Sequence, residues 1–267
     1  MAGSVDVTEA EGVCTITWDQ REKRNALSPP LLERIHEALE SVEDRDDLRC
    51  LVLTGAGDKA WSAGYDISEY DPESETEASH GYSREEGLSL FSDVVDRVKY
   101  HDYPTLARIN GGTFGGAMHL AAACDLRVAV RDAQFGITPA KLGLVYGGDA
   151  IHEIMSLIGP ADVQEFLFTA DFVDAERAYD MGFLNDVVDR AGLDDRVDEL
   201  AGQIARNAPL SLVGMKRIVR ALVDKGELSP TERDWAQELR DEAADSRDHE
   251  EGVAAFMEGR EPEFEGR

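Results

Sequence analysis

Cysteine is scarce: Cys14, Cys50 and Cys124 are the only three in 267 residues. Widely spaced and odd in number, they fit neither a disulfide framework nor a zinc site, and they read as buried thiols of a reducing compartment. Long apolar runs are missing as well, none approaching the roughly 18 residues that cross a bilayer. The opening Met1-Ala2-Gly3-Ser4-Val5-Asp6 has neither a basic nor an apolar segment, so no signal peptide is expected and the cytoplasm is the expected location. Basic residues are few, 27 against 55 acids, and only six of them are lysine. The formal net charge of −28 repels phosphate backbones and argues against a nucleic-acid partner. The acids are spread along the whole chain. Such a coat repels itself at low salt and is relieved by screening, which points to a salt-adapted organism.

What is present is a globular composition, 42% hydrophobic, on a chain long enough for one large domain or a domain with a small appendage. Val5 and Val7 alternate with polar residues, Glu9 to Gly12 turn the chain, and Val13, Thr15, Ile16 and Trp18 return it as a hairpin. Ser28-Pro29-Pro30 caps a helix whose Leu31, Leu32, Ile35, Ala38, Leu39 and Val42 recur at helical spacing. Short apolar runs at Cys50 to Thr54, Thr105 to Ile109 and Leu126 to Val130 read as buried strands. Helical patterns lie between them, which predicts βαβ crossovers and a largely parallel α/β sheet. From about Gly159 the chain reads as helical, apart from a short run at Phe183 to Val188. Ser229-Pro230-Thr231-Glu232 starts one of its helices with a capping box. The stretch from Asp71 to Ser83 is acidic, small and unpatterned at its start, and reads as a mobile surface loop or a lid.

Two glycine-rich stretches each follow a strand: Gly55 to Ile67, and Asn110-Gly111-Gly112-Thr113-Phe114-Gly115-Gly116-Ala117-Met118-His119. Amides freed at a helix N-terminus or tight turn form a pocket for an oxyanion, and glycine lets a ligand approach the backbone closely. Neither stretch matches the phosphate-binding Gly-Lys-Ser/Thr loop or a Gly-x-Gly-x-x-Gly turn in its required context.

Taken in order, Arg24-Asn25-Ala26-Leu27, Ala63-Gly64-Tyr65-Asp66-Ile67, and Asn110-Gly111 through Gly115-Gly116-Ala117 resemble the motifs of the enoyl-CoA hydratase/isomerase (crotonase) family. Ala133-Gln134-Phe135-Gly136, Lys141-Leu142-Gly143-Leu144, Leu167-Phe168-Thr169, Ala175 to Gly182 and the tail around Arg260 continue the match over nearly the whole chain. The resemblance implies a ClpP-like spiral of repeated β-β-α units over residues 1–200, holding the CoA and oxyanion site. A C-terminal helical region over 201–267 would build homotrimers or hexamers, as dimers of trimers. It implies an acyl-CoA thioester substrate, with coenzyme A entering as part of that substrate and no permanently bound cofactor or metal. The N–H groups of Tyr65 and Gly116 would form the oxyanion hole. Backbone around Ala63, Gly64, Asp66 and Ile67 would meet the adenine. Lys23 or Arg24, beside Ala26, would lie near the CoA phosphates.

The chain departs from a hydratase where water is activated. The family's two glutamates are replaced, by His119 three residues after the oxyanion glycine and by Pro139 after the Phe-Gly motif. Hydration needs a base for water and a proton donor for the α-carbon; His119 would supply one of them, or be a packed neutral histidine. Decarboxylation generates the enolate without a base and needs only the oxyanion hole, a pocket for the carboxylate and a proton donor, for which Tyr146 and His119 are candidates. Thr138-Pro139, Leu142-Gly143 and Val145-Tyr146 resemble the methylmalonyl-CoA decarboxylase branch, although Tyr146 would equally line the acyl pocket. Asp149 lies on the loop where some family isomerases carry an aspartate, two residues off register, and reads as either catalytic or the cap of a helix beginning near Ala150. Trp61 and Tyr65 would add aromatic bulk beside a small acyl group. Glycine and glutamate flank Arg260 where relatives often have basic residues that reach a neighbour's CoA. Three functions follow: a decarboxylase-like lyase or isomerase, slightly favoured; a hydratase with a substituted site; or a non-catalytic CoA-ester-binding scaffold.

Overall fold

The computed structural model describes residues 3–43, 45–67 and 83–267; the loop and lid expected between Asp71 and Ser83 fall, but for Ser83 itself, outside the described residues. The chain opens with the expected hairpin, β1 (Ser4–Ala10) pairing antiparallel with β2 (Val13–Asp19). Alternation buries Cys14, Ile16 and Trp18 beneath helix α1 (Pro29–Glu43), whose apolar stripe is the predicted one.

Three β-β-α units follow. Strand β3 (Cys50–Gly55) leads to β4 (Ala60–Ser62) and α2 (Arg84–Lys99). Then β5 (Thr105–Ile109) leads to β6 (Gly112–Phe114) and α3 (Gly116–Ala123). In the third unit β7 (Leu126–Val130) leads to β8 (Gln134–Gly136) and α4 (Gly148–Thr169). In each unit the first strand joins one sheet and the second joins another. After β9 (Val173–Asp174), α5 (Ala175–Asp180) and β10 (Asp186–Val188), the orders are β1-β2-β3-β5-β7-β10 and β4-β6-β8-β9. From β2 onward the six-stranded sheet is parallel. Both faces of β3 are buried, the reason its sequence is an unbroken apolar run.

Helix α4 bends where the sequence pattern changed: Gly159 takes φ 77° and Pro160 follows, and proline denies the preceding turn a hydrogen bond. Four helices close the chain: α6 (Leu193–Ala205), α7 (Pro209–Lys225), α8 (Pro230–Ala244) and α9 (Arg247–Glu258). Ser229 and Glu232 make the expected capping box on α8, and Ser83 with Glu86 makes another on α2. Ion pairs tie α7 to the spiral: Lys216 to Asp125 at 2.7 Å, Arg217 to Asp102 at 2.7 Å and Asp224 to Lys99 at 2.6 Å.

Two expectations are corrected. Trp61, expected to add aromatic bulk at the acyl group, presents no surface: it is fully buried, edge-on to Trp18 at 4.9 Å, and its indole N–H donates to the Leu53 carbonyl. Asp149 does not cap α4: Gly147 is the capping residue, and Asp149 sits exposed in the first turn, where its charge meets the helix's positive end. All three cysteines are buried and unpaired with one another; burial pushes their thiols up, to about 11 for Cys14 and about 12 for Cys50 and Cys124, which keeps them protonated and inert.

Candidate active site

The two glycine stretches meet backbone to backbone. Gly64 has φ 91°, a conformation that side chains rarely adopt, and a Cβ there would lie 2.4 Å from the Phe114 carbonyl oxygen and 3.0 Å from Gly116 N. A Cβ on Gly116 would in turn lie 3.2 Å from Tyr65 N. The amide nitrogens of Tyr65 and Gly116 therefore lie close together. Gly116 is the first residue of α3, so its N–H is among the four that a helix leaves without an internal partner, at the positive end of the dipole.

The first motif is laced to the second. Ala63 N donates to Arg24 O (2.9 Å), Leu27 N to Gly64 O (2.8 Å) and Asp66 N to Leu27 O (3.1 Å). Asn25, in left-handed backbone, donates through its side chain to the carbonyls of Ala56 (2.9 Å) and Ala60 (2.8 Å) and accepts from Gln20 N. Lys23 pairs with Asp66 at 2.8 Å. The residues assigned by resemblance to the nucleotide, Lys23, Arg24, Ala26, Ala63, Gly64, Asp66 and Ile67, are thus tied together, with Lys23, Arg24 and Ile67 exposed and Ala26 and Gly64 buried.

His119 lies one turn beyond Gly116 on α3, half-buried, with its ring 5.9 Å from that of Phe91. Phe91, from α2, meets Tyr65 edge-on at 6.3 Å, and its Cζ would be 3.2 Å from a Cβ on Gly116. Burial pushes the His119 imidazole down to about 4, outweighing the Glu153 and Asp149 charges that pull it up. At neutral pH the ring is uncharged. It has one N–H and one basic nitrogen, and is no imidazolium acid. Tyr146 is half-buried, and its hydroxyl donates to the Gly115 carbonyl at 2.8 Å. Burial raises its pKa and keeps the phenol protonated. Pro139 opens a short 3₁₀ turn, Pro139–Leu142, and offers no side-chain proton.

Sequence reasoning missed Phe91 and Glu153. Glu153, on α4, is 3% exposed, is paired with Lys99 at 2.5 Å and lies 3.7 Å from Arg220. Both residues fall on helices of ordinary amphipathic pattern, where a core phenylalanine and a site phenylalanine look alike. Among the described residues, no three His, Cys, Asp or Glu side chains converge to hold a metal, and no helix is long and apolar enough to cross a membrane.

The enoyl-CoA hydratase/isomerase family model matches residues 8–267. A methylmalonyl-CoA decarboxylase from Escherichia coli (strain K12) is 30% identical over 263 residues, covering 98% of each chain. A carnitinyl-CoA dehydratase from Citrobacter koseri is 33% identical over 273 residues, covering 100% of both. Among solved structures, an enoyl-CoA hydratase/carnithine racemase from Magnetospirillum magneticum superposes with a TM-score of 0.89 at 28% identity, over 100% of this chain and 98% of that one. A methylmalonyl-CoA decarboxylase complexed with 2S-carboxypropyl CoA superposes at 0.75 with 30% identity over 98% of each. The two-sheet spiral of β-β-α units with terminal helices is the crotonase fold. The chain belongs to the enoyl-CoA hydratase/isomerase family.

Proposed function

We propose that the protein acts on an acyl-CoA thioester, holding the carbonyl oxygen between the N–H groups of Tyr65 and Gly116 while an enolate forms, and that decarboxylation or another lyase or isomerase step takes precedence over hydration. The observation that carries this reading is the close approach of those two amides: a Cβ on Gly116 would stand 3.2 Å from Tyr65 N, and Gly116 N–H is one of those freed at the start of α3. Preorganised donors of this kind are worth roughly 3–4 kcal/mol each to a developing oxyanion.

The preference for decarboxylation comes from what flanks the gap. Neutral His119 and Pro139 stand where the family's hydratases carry carboxylates. In a malonyl-type thioester the bond from the α-carbon to its carboxylate breaks, carbon dioxide leaves, and the electron pair passes into the thioester as an enolate, with no base required. The α-carbon then takes one proton, which in this reading His119, beside Phe91, relays from solvent. Similarity to the E. coli decarboxylase supports this branch. The second reading, a hydratase or dehydratase with a substituted site, is favoured by the 33% identity to carnitinyl-CoA dehydratase; there Asp149, whose charge reaches His119, would help handle the proton. A non-catalytic CoA-ester-binding scaffold is the third.

In this reading Lys23, Arg24, Ala26, Ala63, Gly64, Asp66 and Ile67 receive the nucleotide. Residues 1–200 form the spiral core and 201–267 the helical region. Assembly into homotrimers or hexamers is supported by exposed apolar side chains on the last helices, Phe256 at 85% and Met257 at 79%, and by a 590 Å³ groove between α7, α8 and α9 lined by Leu210, Met215, Ile218, Val253 and Phe264. Arg260 is held by its own chain, through Glu251 at 2.5 Å, and its neighbours Gly259 and Glu261 offer no cation to an adjoining subunit's nucleotide. The net charge of −28 supports a cytoplasm rich in salt. The test is mass spectrometry of products from methylmalonyl-CoA and crotonyl-CoA offered together in concentrated KCl. Loss of carbon dioxide from the first is expected; addition of water to the second, with the first untouched, would favour the alternative.

A further inference from the structure

Tyr146 touches the oxyanion site through a single peptide unit. Its hydroxyl donates to the Gly115 carbonyl oxygen at 2.8 Å, and a planar peptide joins that carbonyl rigidly to the N–H of Gly116. This unit turns through a conformation that glycine alone adopts readily. Gly115 takes φ 54° and ψ −120°, outside the regions open to other residues, and a Cβ on it would meet nothing within 4 Å. Gly115 N donates to Gly136 O (2.9 Å), and the Gly115 carbonyl oxygen accepts from Met118 N (3.0 Å) as well as from Tyr146. The Tyr146 phenol is the side chain that holds the carbonyl.

We infer that Tyr146 is a positioning residue for the oxyanion donor: through the Gly115 carbonyl it fixes the plane of the 115–116 peptide and polarises it, so that Gly116 N–H is aimed at, and binds more strongly to, the thioester oxygen. The physics is that of a hydrogen-bond chain. A carbonyl that accepts a bond draws density from its amide nitrogen and makes the N–H a better donor, by roughly 10–30% per bond. A phenol has one proton, and here it is engaged with Gly115, so Tyr146 shapes the hole instead of delivering the proton that ends the reaction. The inference rests on the reading that Tyr65 and Gly116 receive a thioester oxygen.

The experiment binds a CoA thioester labelled with ¹³C at its carbonyl to the full-length wild type and to Tyr146→Phe, and records the carbonyl stretch by infrared difference spectroscopy beside kcat and KM. The wild type is expected to lower the stretching frequency relative to free thioester. Tyr146→Phe is expected to lose roughly a fifth or more of that shift, with kcat down about tenfold and KM within about twofold. A full shift with turnover abolished would overturn the inference in favour of a proton-donor role, and unchanged shift with unchanged kcat would overturn it in favour of simple packing. A wild type that binds the thioester without any shift would instead refute the oxyanion reading beneath it. Should Tyr146→Phe fold poorly, Tyr146→3,5-difluorotyrosine serves: its more acidic hydroxyl donates more strongly and is expected to deepen the shift, and a shallower shift would overturn the inference.

Discussion

Replacing Gly116 with alanine separates stability from catalysis at the oxyanion gap. Gly116 opens α3, where alanine is the better helix former by up to about 1 kcal/mol. The added methyl would stand 3.2 Å from both Tyr65 N and Phe91 Cζ. These contacts are tight, and the end of the Phe91 ring can yield a few tenths of an ångström, which offsets the gain in propensity. Net stability should stay within about 1 kcal/mol, a change of roughly 2–4 °C in Tm for a chain of this size. Activity should not survive. The methyl crowds the space beside Tyr65 N, 3.2 Å away, that the proposed thioester oxygen must enter, and is expected to hold the carbonyl away from both donors. Losing one donor costs roughly 3–4 kcal/mol, or 10²–10³ in rate, and displacement from two should cost at least about 10³ in kcat/KM. The assay pairs differential scanning calorimetry with release of carbon dioxide from methylmalonyl-CoA. A folded Gly116→Ala variant retaining more than about one tenth of wild-type activity would refute the reasoning.

Three further outcomes are expected. Burial lowers His119 from 6.5 to about 4, so the unfolded chain takes up a proton there before the folded one does. The stability this residue contributes is complete above pH 6.5 and lost as pH falls towards 4, by about 2–3 kcal/mol; urea titrations of wild type and His119→Gln should diverge by that amount between pH 7.5 and 4, and parallel curves would contradict it. Lys99→Met leaves the buried carboxylate of Glu153 with Arg220 alone, at 3.7 Å, and should cost about 2–4 kcal/mol, with Lys99→Met/Glu153→Met recovering part of it in chemical denaturation; an additive double variant would show that the pair is not coupled. Raising KCl from about 0.1 to 2 M should stabilise the protein by screening its self-repulsion, and a falling Tm over that range would count against salt adaptation.

Much of this architecture was legible because the physics was local. The runs at 50–54, 105–109 and 126–130 are mostly apolar and mostly buried because their sheet is covered on both faces, and Ser229 and Glu232 announce a helix start by chemistry that needs no tertiary partner. The two glycine stretches were read as places where a ligand nears the backbone; that Gly64 and Gly116 also let the two stretches approach each other was not in the pattern. Strands β4, β6 and β8, three residues each, are too short to show a period. Phe91 and Glu153 carried no signal, because what makes them part of the site is the packing of α2 and α4 against α3. Trp61 misled for the same reason: an aromatic residue next to a site motif is placed by the fold, and here Trp18 claims it. Asp149 was expected at a cap that Gly147 occupies, a one-turn question that ±2 residues of boundary error decides.

The decisive measurement is a crystal structure of the protein with a CoA thioester bound. The carbonyl oxygen should lie within hydrogen-bonding distance, about 2.7–3.2 Å, of both Tyr65 N and Gly116 N, with the acyl group against Phe91 and His119. A thioester held anywhere else, its carbonyl oxygen out of reach of those two amides, would contradict the proposed chemistry.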